Sequence, residues 1–222
     1  MAHAMTNIND FTAAGVHFSA VKKNRNGGKF VSLSDGTTPT YIILPYLRAP
    51  FGVNPPNDQV KDYYLNLSID DPEIQKKFSE LDDRVLSFVA DNSTELLGKQ
   101  ISRDVMRDVL FTPSLKLSKD PKYAPTIKVK ASLKDGKECA PVYKSDKSLA
   151  HIDDIAKGVK VASIIELSQI YFINGKFGIS MRLNQAKLEA NHKIVSYAFP
   201  DDDVVDGVDA ESDEMDDDGS AE

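Results

Sequence analysis

The chain has 222 residues, with 27 Lys and Arg against 34 Asp and Glu, and its formal net charge is -7. A single cysteine, Cys139, excludes an intrachain disulfide framework and indicates a reducing compartment. No apolar run approaches the roughly 18 residues of a membrane span, and the first residues lack the apolar stretch of a secretory signal. We therefore expect an intracellular protein that is not secreted and does not enter a membrane.

The charge is divided unevenly along the chain. Residues 201–222 contain twelve carboxylates and no Lys or Arg, so residues 1–200 keep 34 − 12 = 22 acidic residues against 27 basic ones, a net charge of +5. Like charges in one block repel each other, which predicts a disordered acidic tail over 200–222. A mildly basic body favours a polyanionic partner. The alternative interpretation is a tail that only solubilises the protein.

Strand patterns dominate the first third of the chain. We expect a disordered N-terminus over 1–14, with MAHA as a cloning remnant. A basic turn, KKNRNGGK, separates the first two strands, and a loop with four prolines precedes the last one. The predicted strands cover residues 16–21, 30–34, 40–44 and 60–69, and the proline-rich loop covers 45–58.

A long amphipathic helix follows, within a helical insertion predicted over about 70–112. Asp70 or Asp71 is the predicted N-cap, and Pro72 stands in the first turn. Apolar residues then recur at spacings of three and four, which predicts one buried face and an opposite, solvated face. The apolar stripe consists of Ile74, Phe78, Leu81, Val85 and Phe88.

Strands return in the second half, over 123–132, 139–143 and 158–167. The segment SQIYFINGKFGISMRL then predicts a hairpin, with Asn174 and Gly175 as a type I′ turn. This turn pairs Tyr171 with Gly178. We expect an α+β, mostly β fold around a small antiparallel barrel or sandwich, in one domain over 15–199.

The sequence contains no motif for catalysis. It has no Walker loop, no nucleophile elbow and no dinucleotide fingerprint, and its four histidines lack the spacing of a metal site. We expect no enzymatic activity, no catalytic residue, no metal and no cofactor. A nuclease site assembled from acidic residues distant in the sequence is the weakest alternative.

Basic and aromatic residues on the strands suggest a nucleic-acid partner. Alternation puts Lys128 and Lys130 on one face of a strand, and it puts Tyr171 and Arg182 on the polar face of the hairpin. Lys and Arg neutralise phosphates, and exposed rings stack on bases. Alternatively, the lysines are solvated and Tyr171 only covers Gly178. Loop residues complete the set of DNA-binding candidates: Lys22, Lys23, Arg25, Arg48, Phe51 and Lys176.

The sequence resembles the single-stranded DNA-binding proteins of large eukaryotic DNA viruses, which are related to podophage single-stranded DNA-binding proteins. The resemblance covers about residues 15–190 and rests on PYLRAPFGV, YYLNLSI, the long helix, LLGKQIS, YAPTIKVK and IYFINGKFGISMRLNQ. It implies a five-stranded antiparallel OB-type barrel with inserted helices. It also implies sequence-independent binding of single-stranded DNA in viral replication, recombination and repair, in the host nucleus or a cytoplasmic viral factory.

The resemblance further implies that the acidic tail competes with DNA and contacts replication partners such as a polymerase or helicase-primase. The phage relatives end in an aromatic residue, whereas this tail ends in Gly219-Ser220-Ala221-Glu222. The sequence leaves open whether the chain forms a homo-oligomer. The alternatives are a virion structural protein and an acidic chaperone for basic proteins. The tail residues predicted to bind partners are Asp201, Asp202, Asp203, Asp213, Glu214, Asp216, Asp217 and Asp218.

Overall fold

The structure is a computed structural model that describes residues 5–58, 60–134, 137–138 and 140–190. The chain divides into two units, Met1–Ala190 and Asn191–Glu222. The predicted disordered tail and its eight acidic partner-binding candidates lie outside the described residues, as does Cys139. The domain boundary predicted at 199 also falls in that part of the chain.

Most of the regular structure is β. The strands are β1 (Met5–Asn7), β2 (His17–Phe18), β3 (Lys22–Lys23), β4 (Lys29–Ser34), β5 (Thr40–Arg48), β6 (Val53–Asn54), β7 (Tyr63–Ser68), β8 (Phe111–Thr112), β9 (Leu115–Lys116), β10 (Thr126–Ala131), β11 (Leu133–Lys134), β12 (Lys137–Glu138), β13 (Val142–Tyr143), β14 (Leu149–Ala150), β15 (Lys160–Ile173) and β16 (Lys176–Leu188). The helices are α1 (Pro72–Asp91), α2 (Ser93–Leu97) and α3 (Arg103–Val105), with a π-helical turn at Met106–Leu110 and 3-10 turns at Ala13–Gly15 and Ile152–Asp154.

Fourteen of these strands form one open sheet, with the main order β1-β5-β15-β16-β10-β7-β6, and β11 pairs with β12 separately. The mostly β, α+β class is confirmed. The strand number differs from the five-stranded barrel that the resemblance implied. The long strands β15 and β16 take different neighbours along their lengths: β15 pairs with β5 and then β4, and β16 pairs with β13, β10 and β8.

The hairpin between β15 and β16 follows its predicted register. Asn174 and Gly175 have φ values of 51° and 74°, as a type I′ turn requires. Tyr171 pairs with Gly178, so the predicted pairing is confirmed. A register shift between Leu167 and Gln169 then turns β15 toward its second set of neighbours.

Helix α1 confirms the predicted amphipathic helix. Asp71 is the N-cap, and its carboxylate accepts the backbone N–H of Glu73 at 2.8 Å. The apolar stripe is buried up to Val85, and Phe88 stacks on Phe18 with ring centroids 4.3 Å apart. Helices α2 and α3 and the π-helical turn complete the predicted helical insertion. Within the described part of the chain, no helix has the length and apolarity that crossing a membrane requires.

The N-terminal segment is folded from residue 5 onward, so the prediction of a disordered N-terminus is wrong for residues 5–14. Strand β1 pairs in parallel with β5, and Ile8 and Phe11 are buried. Lys77 donates hydrogen bonds to the carbonyls of Asn9 and Phe11, at 2.9 and 2.8 Å. The polar side of α1 is therefore not simply solvated, because it binds the carbonyl groups of the segment that crosses it.

Candidate nucleic-acid interface

A groove of about 780 Å³ lies between the loop that follows β5 and the loop that joins β9 to β10. Five of its lining residues are Lys or Arg, and Asp70 is the single carboxylate among the described residues that line it. We call it the basic groove. It is lined by Arg48, Pro50, Phe51, Asn66, Ser68, Asp70, Lys116, Leu117, Ser118, Lys119, Lys122, Tyr123, Ala124, Thr126 and Lys157.

The first wall of the groove is residues 49–53, held by backbone hydrogen bonds to residues 155–159. The N–H of Val53 donates to the carbonyl of Ile155 at 2.9 Å, and the N–H of Ala49 donates to Val159 at 2.8 Å. Gly52 makes this close approach possible, since its φ is +68° and an added Cβ would lie 2.9 Å from the backbone nitrogen of Lys157. The anchored loop leaves the Phe51 side chain 62% exposed at the groove.

The second wall is the loop over residues 117–125. Strands β9 and β10 close its base, where Thr126 pairs with Lys116. Within the loop, the carboxylate of Asp120 accepts the backbone N–H of Lys122 at 3.1 Å and pairs with its ammonium group at 2.9 Å. The same ammonium group lies 4.8 Å from the ring centroid of Tyr123, which is 58% exposed. This wall therefore presents a second exposed ring beside a cation.

The floor of the groove is polar and regular. It is formed by the outer faces of β7 and β10, where Thr126 pairs with Ser68 and Lys128 pairs with Asn66. The inner faces of the same strands carry apolar side chains that pack in the core, such as Ile127, which is fully buried. Since side chains alternate along a strand, the burial of the inner set fixes the polar set on the groove side.

Four of the five cations that line the groove have no carboxylate partner within the described part of the chain. Across the described residues, no carboxylate lies within 4.0 Å of Arg48, Lys116, Lys119 or Lys157. A concave surface with unpaired cations favours anions. Two exposed rings beside those cations suit a polyanion that carries flat groups, which is the chemistry of a nucleic acid.

Positive charge continues along the outer face of β10 beyond the groove. The ammonium group of Lys128 lies 3.8 Å from the ring centroid of Tyr64, a cation–π contact. Burial, together with the nearby charge of Lys116, lowers the pKa of Lys128. The repulsion between these two lysines is the kind of strain that a bound anion relieves.

The next outward residue of β10, Lys130, pairs with Arg182 on β16 and Tyr64 on β7 in the strand register. Its ammonium group forms an ion pair with Asp62 at 2.7 Å. Burial by itself raises the pKa of Asp62, but hydrogen bonds from Lys130 and Leu133 and the charges of Lys130 and Arg182 hold it below its ordinary value. Asp62 is therefore ionised at neutral pH.

The structure brings some of the predicted DNA-binding residues together and separates the others. Arg48 and Phe51 lie in the groove. Lys128, Lys130 and Arg182 lie along the adjoining sheet face. The remaining candidates lie toward the opposite end of the long strands β15 and β16, a path of roughly 35 Å along β15 from the end that pairs with Arg48, at about 3.3 Å per residue. These are Lys22, Lys23, Arg25, Tyr171 and Lys176.

Tyr171 is half-buried and lies against Gly178. A Cβ added to Gly178 would be 2.8 Å from the Tyr171 hydroxyl oxygen and 2.9 Å from the carbonyl oxygen of Thr112. The ring therefore occupies the space above the glycine, which matches the alternative interpretation of a cover for Gly178.

Sequence reasoning missed most of the second wall. Lys116, Lys119, Lys122 and Tyr123 were not among the DNA-binding candidates named from the sequence. Neither was Lys157, which lies in the segment that anchors the first wall. The signal is present in KLSKDPKYAP, where three lysines and a tyrosine surround turn residues between two strands. Within the described part of the chain, no group of three or more His, Cys, Asp or Glu side chains is placed to hold a metal ion.

Comparison with known proteins gives a family match over most of the domain. A family model matches residues 57–206, and its description is a family of unknown function, DUF5871. No curated protein matches the sequence at a significant level.

Among solved structures, the chain is similar to the single-stranded DNA-binding protein of bacteriophage Enc34 in complex with ssDNA. The identity is 12%, the match covers 78% of this chain and 94% of that chain, and the TM-score is 0.44. It is also similar to gp2.5, a single-stranded DNA-binding protein encoded by bacteriophage T7, with 14% identity over 83% of this chain and 100% of that chain, and a TM-score of 0.48. Both TM-scores lie below 0.5, so we base the function on the residues of this chain.

Proposed function

The chain belongs to the DUF5871 family, whose function is unknown, and we propose that it binds single-stranded DNA in the basic groove. The observation that carries the proposal is the pair of exposed rings, Phe51 and Tyr123, on opposite walls of a groove lined by five Lys and Arg residues. Phosphates bind Lys and Arg, and each unpaired base offers a flat face to a ring. The binding is non-enzymatic and largely independent of sequence.

The exposed rings favour a single strand over a duplex. In a duplex the base faces are stacked inside the helix, and only phosphates and groove edges reach a protein surface. In a single strand the bases are free to stack on Phe51 and Tyr123. We therefore propose preferential binding to unpaired DNA, in the setting of viral replication, recombination and repair that the sequence resemblance implies.

The acidic tail enters the proposal as a competitor of DNA and as a contact for replication proteins. The support is its charge: twelve carboxylates in 201–222, attached to a body of net charge +5. A tethered polyanion acts at an effective concentration up to roughly millimolar. DNA that occupies the cations would free the tail for basic partners.

The test of the function is a fluorescence titration with oligo-dT and a matched duplex. We expect tighter binding of oligo-dT, and a loss of about 1–3 kcal/mol, roughly five- to 150-fold in Kd, for Phe51→Ala and for Tyr123→Ala. Tyr123→Phe keeps the ring and is the matched control, with binding close to that of the wild type. Equal affinity for both DNAs, or no effect of removing the rings, would overturn the proposal.

The same titration at several salt concentrations tests the cations. Log K falls with log salt by about 0.7 for each neutralised phosphate of a single strand. Replacing Lys116 and Lys119 by Gln should therefore flatten the slope by about 1.4, whereas Lys99→Gln, outside the groove, should leave it unchanged. A virion structural protein would show neither a preference for single strands nor this slope. An acidic chaperone would bind basic proteins even after the groove lysines are removed.

A further inference from the structure

The outer face of the sheet carries a row of polar side chains beside the basic groove. Register across three strands joins Arg182 on β16, Lys130 on β10 and Tyr64 on β7. Lys130 is four residues from Thr126, which lies in the groove floor. This separation is about 13 Å along β10. A strand of DNA that leaves the groove along β10 therefore passes Lys128 and then reaches Lys130.

A carboxylate already occupies the position that a phosphate would take on Lys130. One carboxylate oxygen of Asp62 forms an ion pair with the Lys130 ammonium group at 2.7 Å. The other oxygen accepts a hydrogen bond from the backbone N–H of Leu133 at 3.2 Å. The side chains of Lys130 and Asp62 are 31% and 20% exposed, so solvent and ligand can reach the pair. The charge of Arg182 also acts on the same carboxylate.

We propose that Lys130 and Arg182 form a second phosphodiester subsite, continuous with the basic groove, which Asp62 occupies in the free protein. The inference rests on the proposed function. A phosphate of the bound strand replaces the Asp62 carboxylate on Lys130 and gains Arg182 as a second cation. Asp62 keeps its hydrogen bond from Leu133, so the exchange breaks one ion pair and forms another without unfolding the strand ends.

Asp62 then sets part of the affinity for DNA. Each binding event along this face must break the Lys130–Asp62 pair, which reduces the net gain from the second phosphate. An ion pair with this exposure is weak, so the reduction is modest. The subsite would then engage when the groove is already filled and the strand is long enough to reach it, because the local concentration of phosphate is high at that point.

The test is a double-mutant cycle on oligo-dT affinity with Asp62→Asn, Lys130→Gln and the double variant, and with Asp108→Asn as a charge-matched control. Asn keeps an oxygen for Leu133, and urea unfolding of each variant verifies the fold. We expect Asp62→Asn to tighten binding by roughly two- to fivefold, a gain that vanishes in the Lys130→Gln background. Asp108 lies on the exposed π-helical turn, and its variant should bind like the wild type.

Three results would overturn the subsite. An unchanged affinity for Asp62→Asn, with wild-type binding intact, overturns it and leaves the proposed function standing. The same gain in both backgrounds shows that Asp62 acts only through its long-range charge. The absence of oligo-dT binding by every variant overturns the proposed function and the subsite together.

Discussion

The carboxylate of Asp82 accepts two hydrogen bonds from one residue, Ser114: the hydroxyl donates at 2.6 Å and the backbone N–H at 2.9 Å. Asp82 lies on α1 and is only 8% exposed. Ser114 directly precedes β9, which leads into the second wall of the basic groove. A charged group inside the helix–sheet interface thus fixes the start of the loop that carries Lys119 and Tyr123.

This buried carboxylate predicts a specific dependence of stability on pH. The pKa of Asp82 is raised to about 6, chiefly by burial and in smaller part by the charge of Asp83, against the two hydrogen bonds from Ser114, which lower it. Because the pKa is higher in the folded state than the unfolded value near 3.9, the folded protein binds the extra proton between about pH 6 and pH 4. The contribution of Asp82 to stability therefore increases as the pH falls through this window, by up to about 3 kcal/mol.

Urea unfolding of the wild type and of Asp82→Asn at pH 7, 5 and 4 measures the effect. Relative to the variant, the wild type should gain free energy of unfolding as the pH falls. Asp108→Asn, which removes an exposed carboxylate, is the control and should stay parallel to the wild type. Parallel curves for Asp82→Asn would show that Asp82 does not titrate in this range.

A glycine substitution in the first wall should affect both stability and DNA binding. Gly52→Ala places a methyl group 2.9 Å from the backbone of Ile155 and Lys157, in a left-handed conformation. Gly98→Ala has the same conformational strain, with φ +80°, but no atom within 4 Å of the added Cβ. We expect Gly98→Ala to cost about 1–2 kcal/mol and to leave DNA binding unchanged. Gly52→Ala should cost more and weaken oligo-dT binding, since Phe51 must move.

Melting curves and oligo-dT titrations of the two variants make this comparison. Equal destabilisation by both substitutions, with equal DNA affinity, would mean that the contact at Gly52 does not position the groove.

The parts of the fold that were predicted correctly depend on local chemistry. Asn174 and Gly175 adopt positive φ together, and a two-residue turn leaves a single register for the strands beside it. The spacing of apolar residues after Pro72 likewise determines which side of α1 is buried. In both cases the information lies within about 20 residues of sequence.

The parts that were not predicted depend on residues distant in the sequence. The basic groove combines Arg48, Asn66, Lys116 and Lys157, which only the pairing of non-adjacent strands brings together. The N-terminal segment is short and polar in sequence, and its order comes from long-range contacts: β1 pairs with β5, Ile8 and Phe11 are buried, and Lys77 binds two of its carbonyl groups. A pattern of residue types cannot specify which distant side chain meets a given backbone group.

Removing the negative charge of the acidic tail should increase DNA affinity. We compare the full chain with a 1–200 truncation and with a tail in which all twelve carboxylates are replaced by the corresponding amides. Both changes shift the net charge from -7 to +5 and remove the competing anion. Oligo-dT binding should tighten in both, with a larger effect at low salt, because the Debye length is then longer.

The amide tail separates charge from chain length in that experiment. If the truncation tightens binding and the amide tail does not, the tail acts by its bulk. If neither changes the affinity, the tail does not compete with DNA.

The most direct measurement is photo-crosslinking of the full chain to oligo-dT, followed by mass spectrometry of the crosslinked peptides. The proposed interface predicts crosslinks at Phe51 and Tyr123, on the two walls of the basic groove, and their loss when excess unlabelled oligo-dT is added. Crosslinks confined to the opposite end of the sheet, around Lys22, Lys23 and Tyr171, would contradict it. So would a chain that forms no competable crosslink at all.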